Sequence, residues 1–353
     1  MSVINHKNPA GTRGFSFLEF VSNDPKGLGA LFLKLGFVHI GQHKTKDIEL
    51  WQQNKISFLI NKSTEGFAKD FIAQHQAGAC GMGFAVDDAQ KAFRHCLDQG
   101  GTQKESFADD WHDDRMPVLC GISDTKLYLT EYDSIIDSDL FNLMPDWQEK
   151  MKQSESGLLY IDHLTHNVYR GHMDKWAKFY EDLFNFRQIR YFDIEGKLTG
   201  LYSRAMTSPC LNIKIPINES ADDKSQIEEF LKAYNGEGIQ HIALESKDIY
   251  ETVESLRDAG VKFMKTPDTY YRKIHERLPY NKEPVDRLHK NNILIDGAPT
   301  EDGGYLLQIF TDTVMGPVFF EIIQRKGDDG FGEGNFQALF DSIEQDQIER
   351  GVL

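Results

Sequence analysis

The sequence predicts an α+β fold of two tandem domains, each assembled from two βαβββ modules. Two observations carry that expectation: an internal repeat, and a steady alternation of short apolar strand patterns with helical ones. Residues 78–88 run parallel to residues 238–248 at a constant offset of 160 residues. In each, a short apolar strand leads into a helical pattern, over 89–99 in one case and 249–259 in the other. A glycine, Gly100 or Gly260, stands where each helix should stop. The openings of the halves correspond as well. A strand pattern over 14–20 leads to a helix ending near Gly36, and one over 158–164 leads to a helix ending near Asn185. The polar stretch 148–157 joins the halves, which gives domains over 10–150 and 155–353.

At 353 residues the chain is long enough for two or three domains, and with 40% hydrophobic and 27% charged residues it can bury sizeable cores. Its net charge of −16 and pI near 5.2 argue against nucleic acid or an anionic membrane as a partner. An anionic small substrate stays open, because a bound metal outweighs the global sign locally. Cys80, Cys96, Cys120 and Cys210 form no CxxC pair and no dense framework, so free thiols in a reducing compartment are expected. The first residues lack a charged-then-apolar signal pattern, and no apolar run reaches the roughly 18 residues of a membrane span. A cytoplasmic protein is expected.

The chemistry starts from Glu321. Residues 317–325 read as an apolar strand that this one carboxylate interrupts, sharing a face with Phe319 and Ile323. A buried carboxylate is costly unless a cation, a metal or several donors compensate it. Arg325 or Arg204 could pair with it. The other candidates are His163 and His241, also on short apolar strands, with spacings of 78 and 80 residues along the chain. Such residues meet only if three strands of one sheet come together. Two histidines and a carboxylate then make the facial triad of non-haem Fe(II) oxygenases. His166 competes with His163 from the opposite strand face, which Asp162 shares, and a lone strand histidine is more often a hydrogen-bonded core residue. The repeat discriminates. His241 matches Gly81, while counting along the strands puts Glu321 near Thr130 and His163 near Glu19. The first half keeps the pattern without the ligand set, so the chemistry concentrates in residues 158–353.

At these residues the chain resembles the 4-hydroxyphenylpyruvate dioxygenases of the vicinal-oxygen-chelate superfamily. The stretches that carry the resemblance are 161–168, 214–219, 238–243, 306–310, 319–325 and 330–336. The resemblance is close over 155–353 and weaker over 10–150. It implies two vicinal-oxygen-chelate domains with open barrel-like sheets and helices outside, the first domain without metal ligands. It implies His163, His241 and Glu321 as Fe(II) ligands. It further implies Ser203 and Asn218 beside the substrate, Gln226, Gln240 and Gln308 orienting its phenol and keto acid, and Phe310, Phe319, Phe331 and Phe336 as aromatic walls. Read without the resemblance, the phenylalanines are ordinary core, Gln226 is a surface helix residue, and Gln240 points away from His241 on an ideal strand. One departure is Leu211, where related sequences commonly have glycine after the turn.

The implied reaction takes 4-hydroxyphenylpyruvate and O2 to homogentisate and CO2, within tyrosine and phenylalanine catabolism. The substrate carries its own keto acid, so no 2-oxoglutarate is needed. The implied assembly is a homo-oligomer, dimer or tetramer. Three neighbouring readings compete: 4-hydroxymandelate synthase, which uses the same substrate and iron, extradiol ring-cleaving dioxygenases, and a metal-free binding module. Pro216, Asn218 and Phe336 favour the dioxygenase pattern. Finally, Phe336, Leu339, Phe340 and Ile343 lie at helical spacing behind Gly327, Gly330, Gly332 and Gly334. That pattern fits a C-terminal lid helix with Asn335 as its N-cap, or a plain packing helix.

Overall fold

The computed structural model describes residues 7–107, 111–195, 200–297, 300 and 303–339. Each half contributes one eight-stranded sheet. The first holds β1 (Thr12–Ser22), β2 (Val38–His43), β3 (Ile48–Gln53), β4 (Ile56–Asn61), β5 (Ala77–Val86), β6 (Val118–Cys120), β7 (Lys126–Thr130) and β8 (Phe141–Leu143). The second holds β9 (Leu158–Asn167), β10 (Arg187–Glu195), β11 (Gly200–Thr207), β12 (Lys214–Ser220), β13 (Gly238–Ser246), β14 (Leu294–Gly297), β15 (Tyr305–Phe310) and β16 (Phe319–Lys326). Their spatial orders are β6-β7-β5-β1-β4-β3-β2-β8 and β10-β11-β12-β9-β13-β16-β15-β14.

The second order is the signature of two βαβββ modules. In each, the first strand lies parallel to the last, β9 beside β12 and β13 beside β16, and the two first strands pair antiparallel at the centre. The first half repeats this around β1 and β5. Its second module differs: among the described residues it supplies only β5, β6 and β7, and β8 pairs instead with β2 at the far edge.

Local chemistry explains the helix boundaries. The helices Ala89–Asp98 and Ile249–Asp258 begin at Asp88 and Asp248, whose carboxylates accept from backbone amides of the first turn at 2.8–3.1 Å. They stop before Gly100 and Gly260, whose φ values of +94° and +87° suit glycine far better than any L side chain. The stretch joining the halves is more ordered than its polarity suggests, forming a helix, Trp147–Ser154, with no buried residue.

One face of each sheet packs against helices and against the other half. Phe320 stacks on Phe58 across the halves at 6.0 Å, and Phe84 meets Phe184 edge-on at 5.4 Å. The opposite faces line two interiors of different content, and strand register shows how they correspond. Gly81 and His241 match as expected. The other two matches shift by two residues from those obtained by counting along the strands. Gly83 pairs with Phe17 and Tyr128, where Ala243 pairs with His163 and Glu321. The counterparts of the triad are therefore Phe17, Gly81 and Tyr128, and Glu19 corresponds to Thr165. A slip of two residues preserves the strand face, so counting identified the right face and the wrong residues.

Candidate metal centre

The second interior is built from three adjacent strands. β9 presents His163, β13 presents His241 and β16 presents Glu321, all of them buried. Glu321 Oε2 lies 3.2 Å from His163 Nε2 and 3.3 Å from His241 Nε2, and the three donor atoms lie within 4.8 Å of one another. His166 points to the other face, where its Nε2 meets the Tyr180 hydroxyl at 2.7 Å. Neither arginine considered for Glu321 reaches it: Arg204 pairs with Asp174 and Arg325 with Asp162.

Two β-bulges orient the imidazoles. Between the pairs Ile239–His166 and His241–Thr165, β13 advances two residues for one on β9, so Gln240 is the extra residue. Between Ala243–His163 and Leu244–Ile161 the surplus falls on β9, at Asp162. A bulge breaks strict alternation and re-aims the side chain. Asp162 and Gln240 thus turn back toward the histidines that follow them, instead of away as ideal strands require. Asp162 Oδ1 accepts from His163 Nδ1 at 2.7 Å, and Gln240 Oε1 accepts from His241 Nδ1 at 2.9 Å. Both bulges recur in the first half, at Ser16 and Cys80.

With Nδ1 of each ring donating, a neutral imidazole presents a bare Nε2 lone pair toward Glu321. Burial, the largest influence, pushes the Glu321 carboxyl up, yet the two imidazoles outweigh it and hold it at about 2. Burial pulls His163 down, but Glu321 and Asp162 together raise it above its ordinary value. Burial keeps His241 lowered. Three lone-pair donors therefore face one small volume around an ionised carboxylate. A proton on one ring relieves one contact, while a metal ion satisfies all three donors at once. Donor type, burial and second-layer acceptors all fit a divalent metal of the kind that takes imidazole and carboxylate.

Asp162 is itself tightly held. Arg325 donates to it through Nη2 at 2.8 Å and Nε at 2.9 Å, and Lys214 Nζ approaches at 3.3 Å. Burial pushes its carboxyl up, and Arg325 and His163 more than reverse this, leaving it well below the usual range. Arg325 Nη1 also donates to the carbonyls of Asp328 and Gly330, which seats Phe331 against the His163 ring at 5.4 Å.

Beside the three donors opens a cavity. Ser203, Asn218, Gln308, Phe310, Phe331 and Phe336 line it. Ser203 and Asn218 are direct partners across β11 and β12. The remaining expected residues lie elsewhere. Phe319 stacks on the His241 ring at 5.0 Å and backs it from outside the cavity lining. Gln240 serves His241 through its bulge. Gln226 is exposed on the first turn of the helix Gln226–Tyr234, away from the cavity. Thr165, Phe192, Leu201 and Glu333 also line the wall and were missed. Strand parity could have found two of them, since Thr165 and Leu201 stand two residues from His163 and Ser203.

The C-terminal segment covers one side. Residues 333–339 are helical, with Phe340, Ile343 and the rest of the expected helix outside the described residues. Asn335 is not the N-cap. The Gly332 carbonyl accepts from the amides of Asn335 and Phe336, which places Asn335 inside the first turn with its side chain buried. Leu211 adopts the left-handed conformation, φ +67°, that glycine would adopt freely.

Known proteins agree with this arrangement. A family model described as hydroxyphenylpyruvate dioxygenase, HPPD, N-terminal matches residues 6–141. A model of the glyoxalase/bleomycin resistance protein/dioxygenase superfamily matches residues 160–276. The chain is 54% identical to 4-hydroxyphenylpyruvate dioxygenase of Pseudomonas aeruginosa, covering 99% of this chain and 98% of that protein. It is also 54% identical to Hemolysin VllY of Vibrio vulnificus, covering 98% of each. Among solved structures it resembles a mutant 4-hydroxymandelate synthase from Streptomyces coelicolor, with a TM-score of 0.78 at 25% identity over 95% of this chain and 99% of that one. With two tandem glyoxalase-type domains and full-length relatives at this identity, the chain belongs to the 4-hydroxyphenylpyruvate dioxygenase family.

Proposed function

We propose that the protein is an Fe(II)-dependent dioxygenase that converts 4-hydroxyphenylpyruvate and O2 to homogentisate and CO2, in tyrosine and phenylalanine breakdown. The observation that carries this reading is the convergence of His163, His241 and Glu321 at the wall of an aromatic cavity. These residues would hold the metal. Bound there, Fe(II) would supply the chelation of the keto acid and the activation of O2.

The protein's own residues bind and orient the substrate. Phe310, Phe331 and Phe336 give the ring an apolar enclosure and keep water out. Ser203, Asn218 and Gln308 offer hydroxyl and carboxamide groups for its polar ends. Atoms balance without a further co-substrate. One oxygen of O2 enters the new carboxylate and the other the ring, the keto acid's own carboxyl leaves as CO2, and the side chain moves to the neighbouring ring carbon.

The test is O2 uptake by anaerobically purified, Fe(II)-loaded protein given 4-hydroxyphenylpyruvate, followed by product identification. Homogentisate and CO2 should each form one for one with O2. Recovery of 4-hydroxymandelate would assign the other reaction of this fold. Equal turnover by Glu321→Gln would remove the metal-site assignment.

A further inference from the structure

We infer that Tyr270 is a positioning residue for the carboxylate ligand of this metal centre, acting through Asn335 and Gln308. The inference rests on the metal-site reading above. Its evidence is a single file of hydrogen bonds. Gln308 Nε2 donates to Glu321 Oε1 at 3.2 Å, the oxygen not shared by the two histidines. Asn335 Nδ2 donates to Gln308 Oε1 at 2.8 Å, and the Tyr270 hydroxyl donates to Asn335 Oδ1 at 2.6 Å. Arg277 Nη2 then donates to the Tyr270 oxygen at 2.7 Å, and the Ile295 amide does so at 2.9 Å. Tyr270, Asn335, Gln308 and Glu321 are each at most 2% exposed.

The direction of every bond is forced. An ionised carboxylate can only accept, so Gln308 must turn its amide nitrogen to Glu321 and its oxygen to Asn335. Asn335 must then donate to Gln308 and present its own oxygen to Tyr270. Tyr270 has one hydroxyl hydrogen, and the shorter contact is to Asn335 rather than to the Ile295 carbonyl at 3.1 Å. Its oxygen is left to accept from two groups that can only donate, the Arg277 guanidinium and the Ile295 amide. A guanidinium at one end and a carboxylate at the other thus leave the two amides no alternative orientation.

The file fixes Oε1 of Glu321 and leaves Oε2 for the metal. It also runs through the C-terminal segment, because Asn335 precedes the cavity residue Phe336. Gly332 passes so close to Gln308 that a Cβ there would lie 1.8 Å from Oε1. Seating this segment over the cavity and orienting the carboxylate ligand are one structural event, and Tyr270 anchors it from outside the cavity lining.

The test uses the full-length metal-free protein, with Co(II) as a spectroscopic probe and a competing chelator to measure affinity. Tyr270→Phe keeps the ring and removes the donor. It should weaken Co(II) binding by about 10–100-fold and alter the Co(II) ligand-field bands in a protein that stays folded, with a lowered melting temperature because the Ile295 amide and the Asn335 oxygen lose their partner. Asn335→Asp, which can no longer donate to Gln308, should do the same and serves if the first variant folds poorly. Wild type that binds Co(II), with both variants within twofold of it, overturns the relay alone. Wild type that takes up no Co(II) overturns the metal-site reading and the relay with it.

Discussion

Asp162→Asn should damage stability and metal binding together, because every group around this carboxylate is a donor. His163 Nδ1, Arg325 Nη2, Arg325 Nε and Lys214 Nζ all lie within 3.3 Å of it. An amide has one oxygen to offer them. If that oxygen faces Arg325, the amide nitrogen faces His163, whose Nδ1 must then accept. The proton moves to Nε2 and removes the ligand lone pair. If the oxygen faces His163, the amide nitrogen faces a guanidinium whose side chain is 9% exposed. Removing one partner of a buried ion pair costs about 3–5 kcal/mol, and disturbing a second-layer acceptor costs about 10–100-fold in metal affinity. Urea unfolding of the metal-free variant and chelator-competed Co(II) titration measure the two losses separately. The native carboxyl lies well below its ordinary value near 3.8, so its stabilisation is complete above that value and is lost as pH falls from there through the lower native value. The deficit should therefore be full at neutral pH and shrink in acid. A loss below about 1 kcal/mol at pH 7 with unchanged metal affinity would refute the reasoning.

Three further outcomes follow from particular residues. Glu245 is buried with one oxygen lacking a hydrogen-bond partner among the described residues, and burial pushes its carboxyl up to about 7 despite the Arg325 amide. Between pH 4.5 and about 7 the fold keeps a proton that the unfolded chain has released, so stability falls across that window. Glu245→Gln should become stabilising relative to wild type by about 3 kcal/mol from pH 5 to pH 8, and a pH-independent difference in urea melts would contradict this. Leu211→Asn, relieving a left-handed conformation at an exposed position, should gain about 0.5–1 kcal/mol, visible as a small rise in melting temperature. Gly332→Ala must displace Gln308 and strain a φ of +76°. Turnover should drop by about 100-fold, and near-normal turnover in an O2-uptake assay would argue against the packed C-terminal segment.

The βαβββ modules and their helix ends were legible because strand alternation, aspartate caps and glycine stops are local signals. The site's polarity was legible too, since a carboxylate in an apolar strand requires a partner wherever that strand lies. The bulges were not legible. An extra residue at position 162 or 240 leaves no mark in composition, so alternation sent Asp162 and Gln240 to the wrong side. The long-range pairing of Asp162 with Arg325 was equally hidden, because 163 residues separate them and only the closed sheet brings them together. Gln226 differs again: it stands exposed on the first turn of its helix, outside the residues that line the cavity.

The same scaffold solves one electrostatic problem in two ways. In the first half Glu19 is fully buried, and its charge is answered from within the protein. Asn61 Nδ2 donates to it at 2.7 Å, the Tyr128 hydroxyl at 2.5 Å, and Lys126 Nζ lies 3.9 Å away over the Phe67 ring. Phe17, Trp111 and Tyr128 fill the remaining space, and a Cβ on Gly81 would lie 2.9 Å from the Tyr128 ring. In the second half no lysine or arginine stands among the described residues that line the cavity. Glu321 meets two imidazoles there, and at the position of Glu19 stands Thr165, whose hydroxyl has no hydrogen-bond partner among the described residues. A buried carboxylate with its own lysine needs nothing from solution, whereas one facing two bare ring nitrogens needs a cation. Introducing histidine at Gly81 would therefore leave the first half without a metal site, because aromatic rings occupy the space and Lys126 already supplies the charge.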